Sequence, residues 1–212
     1  MTSARDLADR VHRRWLESNP FAATMYGVPG YDDLVPDESE EGRRAWRAEI
    51  GRFLAEADLI AGGRLTPPEA ITLDCARAAA AQEQDIIDLA GAEHTVTAMQ
   101  YAGPAAFLAV AARTVLVDQA AAEAYLSRLR RSGAWLDQIA ERLRTGARKG
   151  RLPVAPLAEQ AIAWAEAVLA APGSSPVLSA RPPQGWPRAA AWEAERQAAA
   201  AEVVHPVGQI TC

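Results

Sequence analysis

Alanine recurs at helical spacing through most of this chain, and proline or glycine cuts it into segments. Small methyl side chains on a helical repeat let helices approach closely, and few runs of β-branched residues offer a strand instead. Half of the 212 residues are apolar and only 6% are aromatic, yet six of these are tryptophan. A chain of this length can bury one core, or one domain plus an appendage. The expected fold class is therefore all-α, a multi-helix, bundle-like body.

Ser3 and Asp6 form a capping-box-like start, followed by Leu7, Val11 and Trp15 on one face. Pro20 pushes Asn19 out of the α region, so this helix stops near "SNP". "FAATMYG" supplies one more turn, and "GVPGYDDLVPDES" is a loop. Ser39 caps a helix with Trp46, Ile50, Phe53, Leu54 and Ala57 on one face. Thr66, Pro67 and Glu69 start the next, which runs through Leu73, Ala76, Ala80 and Ile87 to about Leu89. "EHTVTAMQYAGP" alternates briefly and reads as an extended connector. Helices are then expected over Ala106–Leu116, Asp118–Arg131, Gly133–Arg148 and Pro153–Ala171. "APGSSPVLSARPPQGWP" is a Pro-rich linker, and one extra helix follows it. The expected organisation is a helical body over 1–171, a linker over 172–187, a terminal helix over 188–204 and an irregular tail over 205–212. Pro206 and Gly208 are the reason for ending that helix at Val204.

Several classes are disfavoured at once. A net charge of −5 argues against nucleic acid as an obligate partner, since phosphate neutralisation needs a basic chain. No stretch reaches the ~20 apolar residues of a membrane span, and "MTSARDLADRVHRRWLE" is no signal peptide. Cys75 and Cys212 are far apart, and Cys75 in "LDCARAAAA" reads as a small buried apolar side chain. The expectation is a cytoplasmic protein that engages no membrane.

Local chemistry is sparse. His12, His94 and His205 are widely separated, and no His-Glu-x-x-His segment occurs, so no metal ligands are assigned. Glu202 and His205 share a spacing found in di-iron bundles, but a single pair beside a proline reads as incidental. There is no Gly-x-Ser-x-Gly elbow and no phosphate loop; Ser132, Ser174, Ser175 and Ser179 are read as turn or linker residues. Asp85 and Asp88 read as the solvated edge of a helix, and Asp32 and Asp33 as turn residues. An enzyme built on Asp32, Asp33 or Asp85 has no base, nucleophile and electrostatic stabiliser together. No catalytic or cofactor-binding residue is assigned.

The strongest electrostatic feature is basic. Arg128, Arg130, Arg131, Arg142, Arg144, Arg148, Lys149 and Arg151 face only Asp137 and Glu141 between Leu126 and Leu152. Arg128, Arg130, Arg131, Arg144 and Arg148 are the candidate surface for an anion or an acidic partner. The same patch is also suited to pair with Asp32–Glu41 in the same molecule, or to stand as a solvated face. Trp15, Trp46, Trp135 and Trp164 lie on apolar faces and read as core.

Two blocks carry a resemblance. Asn-Pro-x-x-Ala-Thr…Gly…Tyr-Asp-Asp…Pro-Asp spans Asn19 to Asp37, and "YLSRLRRSGAWLDQ" spans Tyr125 to Gln138. With "ITLDCARAAAAQEQD" between them, they resemble the N-terminal part of the bacterial "domain of unknown function 885" family, from about Leu7 to Val204. The resemblance implies a helical region of a zinc metallopeptidase-like protein, packed around a catalytic portion whose His-Glu metal segment lies in the C-terminal half. Nothing in this chain matches that segment, so zinc is implied only for full-length relatives and no catalytic residue is carried over. The expected function is a truncated N-terminal helical region without activity of its own. It is expected to self-associate or to need the missing C-terminal half. The alternative is a stand-alone binding or scaffold module that uses Arg128 to Arg151.

Overall fold

A computed structural model describes residues 3–96 and 103–210, with side chains up to Val203. Among the described residues there are eight α-helices and no strand. They are α1 (Ala4–Ser18), α2 (Pro20–Met25), α3 (Glu40–Ala61), α4 (Pro67–Asp88), α5 (Gly103–Arg113), α6 (Gln119–Arg148), α7 (Ala155–Ala170) and α8 (Ala189–Ile210). Short 3₁₀ turns cover Gly91–Glu93, Pro172–Ser174 and Pro176–Leu178. The all-α expectation holds. None of these helices is long and apolar enough to cross a membrane.

The caps form where the sequence places them. Asp6 N–H donates to Ser3 Oγ at 3.1 Å, and Ser3 N–H returns a bond to Asp6 Oδ2. Gly42 N–H donates to Ser39 Oγ, and Thr66 with Glu69 closes a capping box. α6 is one helix rather than the expected two, because Ser132 and Gly133 are both compatible with its interior. Ser132 donates its hydroxyl to Arg128 O, and Gly133 lets the α8 backbone pass, its would-be Cβ lying 3.7 Å from Glu202 O.

The chain divides into two compact units, one of Met1–Ser18 with Asp37–Ala92 and one of Asn19–Pro36 with Glu93–Cys212. The first holds α1, α3 and α4 around Leu7, Val11, Trp46, Ile50, Phe53 and Leu73. In the second, Phe21, Phe107, Leu126, Leu129, Trp135, Leu136 and Trp192 form the core. Phe21 meets Trp135 edge-on at 5.1 Å, and Phe107 lies 5.9 Å from the same indole.

This division differs from a body over 1–171 followed by a linker and an extra helix. α8 packs on α6 more extensively than any other pair of elements meets, and Trp192 is completely buried with its indole N–H on Ala122 O at 2.8 Å. The 172–187 segment is not a free linker: Val177 and Ala180 are buried, and Tyr125 donates its hydroxyl to Val177 O. Pro172 and Pro176 each start a 3₁₀ turn, and the second turn buries Val177 in the core. α8 also continues past Val204 through Pro206 and Gly208 to Ile210. Of the expected connector, residues 97–102 lie outside the described residues, as do Thr211 and Cys212 of the tail.

Candidate functional site

The second unit brings together the two blocks that carry the resemblance. Arg128 on α6 is 2% exposed and points into the Gly27–Pro36 loop. Its Nε donates to Leu34 O at 2.9 Å; its Nη2 donates to Tyr31 O at 2.6 Å and to Thr24 Oγ1 at 2.8 Å. Thr24 in turn donates its hydroxyl to Asp32 Oδ1 at 2.7 Å. The guanidinium also sits over the Phe21 ring. One side chain thus holds two loop carbonyls and, through Thr24, the Asp32 carboxylate. Gly27 and Gly30 permit the turn, both at positive φ.

Burial is the main cause that pushes Arg128 down to about 10; Asp32, Asp33 and Tyr125 oppose it by attraction. Arg128 therefore leaves the surface set named from sequence. It lies on the α6 face of Tyr125, Leu129 and Ser132, which is buried, whereas Arg130 and Arg131 turn outward.

Arg130, Arg131, Arg144, Arg148, Lys149 and Arg151 remain at or near the surface and meet acids within their own unit. Arg130 pairs with Glu195 at 2.5 Å, and Arg131 with Asp33 at 3.4 Å. Arg144 and Arg148 both approach Glu141, at 3.9 and 2.7 Å, and Arg148 holds Glu141 below the usual carboxylate range. Glu93, 4% exposed, lies between Arg151 and Lys149. The patch is largely internally neutralised. Asp33 is a partner in it, one of the acids between Asp32 and Glu41.

The remaining sequence candidates fall elsewhere. Asp88 is bound by both arms of Arg47, at 2.5 and 2.8 Å, which keeps it below the usual carboxylate range; Asp85 is exposed. His12 is exposed on α1, His94 follows the 3₁₀ turn at Glu93, and the His205 side chain lies outside the described residues. Among the described residues no group of three or more His, Cys, Asp or Glu is arranged to hold a metal.

Cys75 is exposed, contrary to the expectation of burial. It lies between Leu73 and Ala76, off the stripe that these residues and Ala80 bury, and opens onto a groove of about 550 Å³ with His12, Trp15 and Glu83. Trp15 is only half-buried there, its indole N–H on Glu83 Oε1. Trp164 is half-buried too, while Trp46 and Trp135 are core. The burial of two polar residues of the second unit, one of them read from sequence as a turn or linker serine, was not visible in the sequence. Arg196 is 2% exposed, and Ser175 is buried at the junction of the two 3₁₀ turns. Burial of charge inside an alanine-rich helix leaves no mark in the periodicity, because the neighbours that cover it are distant in sequence.

The family described as "Bacterial protein of unknown function (DUF885)" matches residues 20–210. The chain belongs to the DUF885 family. The match covers both blocks that Arg128 joins, so the loop anchored on α6 is a feature of this DUF885 chain's family-matched region. No curated protein matches the chain.

Proposed function

We propose that this chain is the N-terminal helical region of a metallopeptidase-like hydrolase, and that it supplies a wall beside a catalytic portion without catalysis of its own. The observation that carries this reading is the Arg128 anchor. A buried guanidinium gives two donor bonds to loop carbonyls and a third to Thr24 of α2, where an apolar residue would fill the space without the desolvation cost. That expense is sensible where the loop, with Tyr31 and Asp33, must hold one shape against another surface. The resemblance supplies the identity of that surface.

The test is a zinc titration and a chelator-controlled peptidase assay on the purified chain. The expected result is no stoichiometric zinc and no chelator-sensitive cleavage. One tightly held zinc with cleavage that a chelator stops would overturn the reading. It also expects the chain to self-associate through apolar side chains left exposed on α7, such as Leu157 and Ile162. Sedimentation that returns a monomer at every concentration removes that part.

The alternative, a stand-alone binding module on the α6 arginines, has less support. Arg128 is buried, and Arg130, Arg131, Arg144 and Arg148 each have a carboxylate within 4 Å. Capture of an acidic partner that Arg130→Glu, Arg131→Glu and Arg144→Glu together abolish would restore it.

A further inference from the structure

The 3₁₀ turns of residues 172–178 and one side of α8 line an open pocket of about 510 Å³ in the second unit. Its polar lining comes from Ser175, Arg181, Glu193, Arg196 and Gln197, and Leu178 and Ala200 contribute apolar surface. Two guanidiniums therefore face one carboxylate, which leaves one positive charge. One oxygen of that carboxylate is already engaged: Glu193 Oε1 accepts from Arg196 Nη2 and from Gln197 Nε2. Arg196 is fixed further by Nη1 on Ala180 O at 3.1 Å and by its position over the Trp192 ring, and its buried Nε has no acceptor.

Donors exceed acceptors on the pocket side as well. Arg181 is exposed and uses Nη1 on Leu178 O at 3.0 Å, while its Nε and Nη2 bond to no group among the described residues. Ser175 is only 8% exposed, and its hydroxyl likewise has no partner among the described residues. A nearly buried hydroxyl and an open guanidinium edge, beside a carboxylate whose Oε1 already accepts from Arg196 and Gln197, leave more donors than acceptors facing the pocket.

We propose that this pocket binds a small monocarboxylate, with its oxygens held by the Arg181 fork and the Ser175 hydroxyl and its carbon chain against Leu178 and Ala200. A planar two-oxygen group matches the guanidinium edge. The single surplus positive charge and the nearby Glu193 disfavour a dianion such as phosphate. Arg196 acts through other groups, holding Glu193 and the Ala180 carbonyl in place. This site is independent of the loop anchored by Arg128.

The experiment is a calorimetric titration of the full chain with hexanoate, alongside its neutral amide hexanamide and inorganic phosphate. Hexanoate is expected to saturate one site, with hexanamide and phosphate each weaker by about tenfold or more, a difference of about 1.4 kcal/mol. Arg181→Gln, a change at an exposed position, is expected to leave the thermal melt unchanged and to weaken hexanoate by about tenfold. Ser175→Ala is expected to weaken it by about threefold. The assignment is overturned if hexanoate fails to saturate, if hexanamide or phosphate binds as tightly, or if Arg181→Gln binds hexanoate as well as the parent chain does.

Discussion

Arg128 and Tyr125, less than one helical turn apart on α6, are buried polar groups whose protonation is set by the same core. Arg128→Met fills similar volume but leaves the Tyr31 and Leu34 carbonyls without their donor, and should cost about 3 kcal/mol in a denaturant melt. Alkaline pH separates the two groups. Burial lowers Arg128 to about 10, so between that value and the usual arginine range the unfolded chain binds more protons. The Arg128 contribution is a penalty at neutral pH that shrinks as pH rises through this window. Tyr125 shifts the other way, chiefly through burial. Its contribution is intact below the ordinary tyrosine value of 10.0 and is lost as pH climbs above it towards the raised value. Tyr125→Phe should therefore lose less stability on passing above pH ~10 than the parent chain does, each relative to its own value at neutral pH. Unfolding free energies measured across that range give the comparison.

Within α6, two glycines have opposite structural meanings. A Cβ on Gly146 would lie 2.0 Å from Glu93 O and 2.8 Å from its carbonyl carbon, both backbone atoms that cannot turn aside. Gly146→Ala should therefore destabilise by about 2 kcal/mol, against the gain of about 1 kcal/mol that alanine brings to an open helix interior. Gly133→Ala meets Glu202 O only at an ordinary 3.7 Å and should be neutral or mildly stabilising. Thermal melts of the two variants should fall on opposite sides of the parent, or nearly so. Sequence gives both residues the same intrinsic helix penalty, and places both in one helix that starts at Gly133. Only the close approach of the Glu93 backbone tells them apart.

For the whole molecule, the decisive element is α8, which sequence sets apart as an extra helix and the structure builds into a core. Trp192 fills the space beside Tyr125 and Ala122, with ring centroids 6.4 Å from Tyr125. Trp192→Ala should cost about 3–5 kcal/mol through lost burial and the cavity left behind. Hydrogen exchange should show that loss across α6 and the 172–181 segment, the elements that α8 covers. Localised loosening of α8 alone would instead support an appended helix. The first unit has its own core on Leu7, Ile50 and Leu73, so its exchange should be unchanged.

The sequence by itself determined the all-α class of this DUF885 chain, the caps of several helices and most of their apolar faces, because these depend on residues within a turn or two of each other. Ser39, Thr66 with Glu69, and the Trp46–Ile50–Phe53–Ala57 stripe were all legible in that way. The family was legible too, from blocks whose order and spacing survive without any contact being known. Tertiary structure alone decided which charged residues are internal. Arg128 and Arg130 look alike in a basic run, yet one is enclosed by a loop some hundred residues earlier in the chain and the other faces Glu195. It alone decided that Ser175 and Arg181, in a segment that reads as linker, would share a pocket with α8. The physical reason is the same in each case: local propensity fixes φ and ψ, while burial and charge pairing depend on distant neighbours that no window of the sequence contains.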